Sequence, residues 1–61
     1  MINTSTKILD TAQELIQTRG YSAISFQLIA EQVGIRKPSV IHHFPSKASL
    51  GVAVIARYRE S

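Results

Sequence analysis

Cysteine is absent from this chain of 61 residues, which excludes a disulfide framework and a thiolate metal site. Glycine and proline are scarce, three and two residues, which argues against collagen-like, low-complexity and disordered-linker classes. Long apolar runs are missing too. The longest, Leu50 to Ala56, is seven residues, against the roughly 20 that span a bilayer. Lys7 and Asp10 break the apolar stretch that an N-terminal secretion signal needs. So short a chain makes one domain at most and buries roughly 60% of its unfolded surface, leaving little room to enclose a catalytic pocket. What is present is a globular balance of 44% hydrophobic and 18% charged residues.

The formal net charge of +3 is unevenly spread. Residues 1–31 carry Lys7 and Arg19 against Asp10, Glu14 and Glu31. Residues 32–59 carry Arg36, Lys37, Lys47, Arg57 and Arg59 with no acid, and Glu60 follows. A one-sided basic half suggests a polyanionic partner, nucleic acid or anionic membrane. An ordinary solvated face has the same charge count, so charge alone leaves both open.

The periodicity is helical, with no sustained strand alternation and no internal repeat. Ile8, Leu9, Ala12, Leu15 and Ile16 fall within an arc of about 120°, and Lys7, Asp10, Gln13, Glu14 and Gln17 take the other side. This predicts a first helix near 5–19, capped by Ser5 or Thr4 and stopped by a left-handed Gly20 after Arg19. Tyr21 to Ile24 read as a connection. Ser25 then caps a second helix with Phe26, Ile29, Ala30 and Val33 on one stripe and Leu28 pointing away from it. Gly34 ends that helix where a positive φ is wanted. Pro38 opens a short third helix to about His43 and pushes Lys37 out of the α region; Pro45 stops it. Ser46 caps a fourth helix near 47–59. Its apolar residues Leu50, Val52, Ala53, Val54, Ile55, Ala56 and Tyr58 occupy nearly every sector, with Arg57 interrupting. A helix apolar all round is normally covered all round. Three short helices cannot do that, so a partner surface is implied, from a second chain or a domain that follows.

The second helix, Gly34 and the third helix have helix-turn-helix spacing. Ala30 supplies the small side chain where two helices cross, and Ile35 and Val40 plug the angle between them. The second helix of such a pair presents its N-terminal residues to the major groove. Here these are Arg36, Lys37 and Ser39, two cations and a hydroxyl. Free N–H groups at a helix start also favour phosphate.

With those residues in view, the chain resembles the N-terminal DNA-binding domain of the TetR family of bacterial transcriptional repressors. The match rests on Ile8-Leu9-Asp10 with Ala12, Arg19-Gly20-Tyr21, Ile29-Ala30-Glu31, Val33-Gly34-Ile35, Lys37, and the run His42-His43-Phe44-Pro45-Ser46-Lys47, continued by Leu50 and Ala53-Val54. It covers about residues 6–58. The resemblance implies that Gln27 meets a phosphate or base, that Lys37 and Ser39 are recognition-helix contacts, that His42 and His43 touch backbone or neighbouring bases, and that Lys47 meets a phosphate. Three residues depart from the family pattern. Ile41 replaces a phosphate-donating tyrosine, Arg36 a serine or threonine, and Pro38 a frequent glycine, so an operator cannot be carried over.

Other chemistries read less well. His42 and His43 diverge by about 100° on a helix, and no Cys, Asp or Glu stands near to complete a metal site. Ser25 and Ser46 are better explained as caps than as nucleophiles, and Ser39 and Ser49 have no carboxylate–histidine arrangement beside them, so no enzyme activity and no cofactor is expected. Tyr21 and Phe44 read as core plugs. Arg57 and Arg59 read as solvated or interdomain residues.

The expected fold is all-α, a homeodomain-like three-helix bundle with a helix-turn-helix, plus the start of a fourth, connecting helix. Residues 1–47 form the DNA-binding domain, and 48–61 lead toward an absent C-terminal effector and dimerisation domain. The expected function is sequence-specific binding of double-stranded DNA at a pseudo-palindromic operator for transcriptional repression in the bacterial cytoplasm. The DNA-binding residues are Gln27, Arg36, Lys37, Ser39, His42, His43 and Lys47. The resemblance implies a homodimer and a small-molecule effector in the full-length protein, with no membrane partner. The alternative is a helical protein-interaction module that dimerises through the apolar fourth helix, with an incidental basic half.

Overall fold

Asn3, not Ser5 or Thr4, starts the first helix: its Oδ1 accepts from the Thr6 N–H at 2.8 Å and from the Ser5 hydroxyl at 2.8 Å. Three polar residues in a row all suit that role, and asparagine is among the strongest caps. In the computed structural model, which describes residues 3–60, helix α1 spans Thr4–Arg19. Met1, Ile2 and Ser61, the outer ends of segments 1–47 and 48–61, lie outside the described residues. Ile8, Ala12 and Leu15 are the buried positions of α1, four and three residues apart, as one helical face requires.

Gly20 ends α1 by donating its N–H to the Ile16 carbonyl at 2.9 Å. Its φ of 87° is positive, but its ψ of 162° lies outside the left-handed helical well, in a region essentially reserved for glycine. The chain then makes a 3-10 turn over Tyr21–Ala23, within the expected connection. It drops Ile24 into the core.

Helix α2 spans Phe26–Val33, and Ser25 caps it by accepting from Leu28 N–H at 3.0 Å. Ile29 and Ala30 are fully buried; Phe26, Val33 and also Leu28 pack half-buried against the core. Leu28 therefore has a place inside this domain, contrary to the reading from its own helix's stripe. Gly34 is left-handed (φ 86°, ψ 31°), and both Gly34 and Ile35 donate to the Ala30 carbonyl, at 2.8 and 3.0 Å. That pair of hydrogen bonds satisfies the Ala30 carbonyl at the helix end and turns the chain.

Helix α3 spans Lys37–His43. Lys37 is its first residue rather than excluded from it, and extended Arg36 is the cap residue, so Pro38 sits one place inside the first turn. Prolines are tolerated there because the first N–H groups of a helix have no partner to lose. Helix α4 spans Lys47–Glu60. Ser46 and Ser49 cap it reciprocally: Ser49 N–H donates to Ser46 Oγ at 3.1 Å, and Ser46 N–H donates to Ser49 Oγ at 3.2 Å.

One core joins all four helices: Ile8, Ala12, Leu15, Ile24, Ile29, Ala30, Val40, Leu50 and Val54. Leu50 of α4 is as buried as Ile8 and Ala12 of α1, and Val54 is more buried than Leu15. Two polar links fasten the far end of α4 to α1. Arg57 forms an ion pair and hydrogen bond with Asp10, and Gln17 Nε2 donates to Tyr58 Oη at 2.7 Å. The fourth helix is thus covered on one side. Its other side leaves Val52 67% and Ile55 61% exposed, with Ala56 beside them in the helix. No helix among the described residues is long and apolar enough to cross a membrane.

Candidate nucleic-acid interface

The packing of α3 fixes what it shows. Val40 is fully buried, so the residues two positions away on either side, Pro38 and His42, stand on the opposite crest of the helix. Ser39 and Ile41 flank them, and Arg36, Lys37 and His43 are exposed at the two ends. Ile35 and half-buried Phe44 pack against the core at either end of the element, holding α3 against α2. Five of the expected contact residues, Arg36, Lys37, Ser39, His42 and His43, therefore lie on the exposed part of one short element.

Gln27 stands in the first turn of α2, exposed, with its Nε2 donating to Glu31 Oε1 at 3.3 Å. One amide N–H is engaged there, which leaves its second N–H and its Oε1 to meet other groups. Lys47 opens α4, half-buried, and its Nζ lies 4.9 Å from the centroid of the Tyr21 ring.

His42 and His43 meet edge to face, ring centroids 5.5 Å apart at 78°. Both rings are exposed, so neither is a satisfied core histidine. Among the described residues no three His, Asp or Glu side chains cluster to hold a metal ion. A shallow groove of about 120 Å³ lies between α1 and α2, lined by Thr11, Glu14, Leu15, Thr18, Arg19 and Gln32. It is well below the size of a usual small-molecule site.

Two residues of this surface stand outside the expected contacts. Tyr21, expected in the core, is 47% exposed and lies across α4. Ile41 is 38% exposed, putting apolar surface among the polar groups of α3. The signal for Ile41 was available in its placement about 100° from inward-facing Val40. For Tyr21 there was none nearby in sequence. Of the five cations in residues 32–59, Arg57 is paired with Asp10 of α1. Arg36 and Lys37 remain exposed at the start of α3.

Residues 8–54 match the family profile described as bacterial regulatory proteins, tetR family. Among curated proteins, the HTH-type transcriptional activator FasR of Mycolicibacterium smegmatis is 38% identical over 52 residues, covering 85% of this chain and 24% of that protein. The HTH-type transcriptional regulator EthR of the same organism is 38% identical over 48 residues, 79% of this chain and 22% of that protein. The biofilm operon icaADBC HTH-type negative transcriptional regulator IcaR of Staphylococcus aureus is 41% identical over 44 residues, 72% of this chain and 24% of that protein. The chain spans about a quarter of the length of these relatives. No solved structure matches it significantly.

Proposed function

Because the chain belongs to the tetR family of bacterial regulatory proteins, helix-turn-helix regulators of transcription, we propose that it binds double-stranded DNA sequence-specifically, with α3 in the major groove. The observation that carries this is the exposed start of α3. Arg36, Lys37 and Ser39 follow directly on the left-handed turn at Gly34, while Val40 anchors the helix from below.

In this reading Lys37, Lys47 and His43 meet phosphates and set the register. Arg36 offers the planar fork that suits the O6 and N7 of guanine, and Ser39, Gln27 and His42 reach base edges. Exposed Ile41 adds an apolar contact of the kind that suits a thymine methyl.

The relatives are about four times longer than this chain, and the outer face of α4 exposes Val52 and Ile55. We place there the helical domain that follows residues 48–61 in the whole protein, which would pair two copies on a pseudo-palindromic operator and take a small-molecule effector. Repression by occlusion is the simplest mode, since a domain that fills the groove blocks polymerase with no further contact. The relatives' names include both an activator and a negative regulator, so family membership alone does not fix the sign of control. Such a protein works on the bacterial chromosome, in the cytoplasm.

Selection from a duplex library with randomised sequence tests this. The chain is expected to enrich a short shared motif, and Arg36→Ala to relax it at one or two positions. Retention of duplexes with no enrichment would reduce the function to non-specific DNA binding. No retention at low salt would favour the helical interaction module, docking through Val52 and Ile55.

A further inference from the structure

We propose that Tyr21 is a positioning residue for DNA binding, its ring seated on the bare backbone of Gly51 and steering the Lys47 ammonium toward phosphate. The proposal deepens the DNA-binding reading and rests on it.

Three observations meet at this ring. The Tyr21 hydroxyl donates to the Lys47 carbonyl at 3.2 Å, tying the 3-10 turn to the first turn of α4. The Lys47 ammonium stands 4.9 Å from the ring centroid, within the range of a cation–π contact. Gly51 is buried beneath the ring, and a Cβ there would lie 3.0 Å from Tyr21 Cε1 and 3.2 Å from its Oη. Gly51 is an ordinary helical residue with no positive φ, so backbone freedom does not explain the glycine. Space for the ring does.

Glycine inside a helix lowers its stability, so this seat carries a cost. What it gains is a fixed lysine. A lysine stem has four flexible carbons and loses rotamer freedom when its ammonium is held by a phosphate. A ring that already confines the stem lowers that loss at the moment of binding. The ammonium has three N–H donors, so one side can face the ring while the others face outward. Tyr21 is nearly half exposed, as a group beside an interface must be.

The test is a set of double-mutant cycles on a mixed-sequence duplex of about two helical turns at low salt. Tyr21→Leu is expected to weaken binding about 2–5-fold, the strength of an exposed cation–π contact. Tyr21→Phe keeps the ring face and is expected to bind as wild type. Gly51→Ala pushes the ring outward from the other side by a few tenths of an ångström, without touching either partner chemically, and is expected to weaken binding in the same direction but less than Tyr21→Leu. It is also expected to melt no lower than wild type, because alanine favours the helix and the half-exposed ring can give by that much. In a Lys47→Ala background both losses should vanish. In the free protein the Lys47 ε-methylene protons should lie upfield from the ring current, return in Tyr21→Leu, and move part of the way back in Gly51→Ala.

Losses that persist undiminished beside Lys47→Ala would show a merely structural role and overturn the proposal. So would unchanged binding in both ring variants, or Lys47 protons with no upfield shift. If Lys47→Ala itself binds as wild type while the chain still holds DNA, Lys47 is not a phosphate contact and the proposal falls. Wild-type chain that fails to bind duplex at all would overturn the DNA-binding reading beneath it, a result distinct from all the others.

Discussion

Leu50→Ala is expected to lower the unfolding free energy by about 2–5 kcal/mol, the usual cost of emptying a fully buried leucine site. Leu50 has no exposed surface and shares the core with Ile8, Ile29 and Val40, the other large fully buried side chains. At the ordinary stability per residue, a domain of this length holds about 3–9 kcal/mol in total, so one truncation removes much of it. Val52→Ala is the control on the same helix. At 67% exposure it should shift stability by no more than about 0.5 kcal/mol. Urea unfolding followed by circular dichroism reads both. A lower midpoint with an unchanged slope for Leu50→Ala shows that the first two turns of α4 belong to the domain's core. A near-neutral Leu50→Ala would show α4 to be a connector that only leans on the bundle.

Linking two copies through a flexible Gly/Ser segment after α4 is expected to raise apparent affinity about 10²–10⁴-fold on a duplex with two half-sites. The second contact becomes intramolecular, so no new interaction is needed. The geometry permits it. The longest extent of one chain is 28 Å, and half-sites one helical turn apart are separated by about 34–36 Å. Two copies can therefore sit side by side on one face of the duplex. Moving the half-sites apart by a further half turn puts them on opposite faces and should abolish most of the gain. The motif enriched from the randomised library supplies the half-site, and anisotropy titration of linked and single chains measures the ratio. A linked pair no tighter than one chain, at either spacing, would contradict paired reading of a pseudo-palindrome.

The helices and their ends were largely legible in the sequence because those signals are local. The spacing of Ile8, Ala12 and Leu15 states one face of α1 without reference to anything else. Ser25, Gly34 and Ser46 act within three or four residues of themselves. Placement against the rest of the chain was less visible. Tyr21 and Leu28 exchanged roles: the tyrosine expected in the core lies outside, and the leucine expected outside packs against the core. A helix's own stripe cannot show that neighbouring elements wrap further round it. Nor can residues near Tyr21 reveal that a bare Gly51 receives its ring. The same holds for α4, where apolar residues in nearly every sector left the buried side undetermined. Leu50, Gly51 and Val54 take the inside, and Arg57 turns to Asp10 across α1. Asn3 was missed for a smaller reason, that Thr4 and Ser5 offer the same capping chemistry one step along. The candidate contacts on α3 were legible because Gly34 and Val40 together dictate which side of a seven-residue helix can face a ligand.

The most direct measurement is anisotropy titration of the chain onto labelled duplex DNA across a salt series, beside an Arg36/Lys37/Lys47 triple alanine variant. Three to five phosphate contacts predict a slope of log affinity on log salt of about −3 to −4.5. The predicted result is a slope in that range, flattened by about two units in the variant, one for each of the phosphate-contacting Lys37 and Lys47. Equal slopes for the two proteins would place the electrostatic contact elsewhere on the chain and contradict DNA binding through α3 and the start of α4.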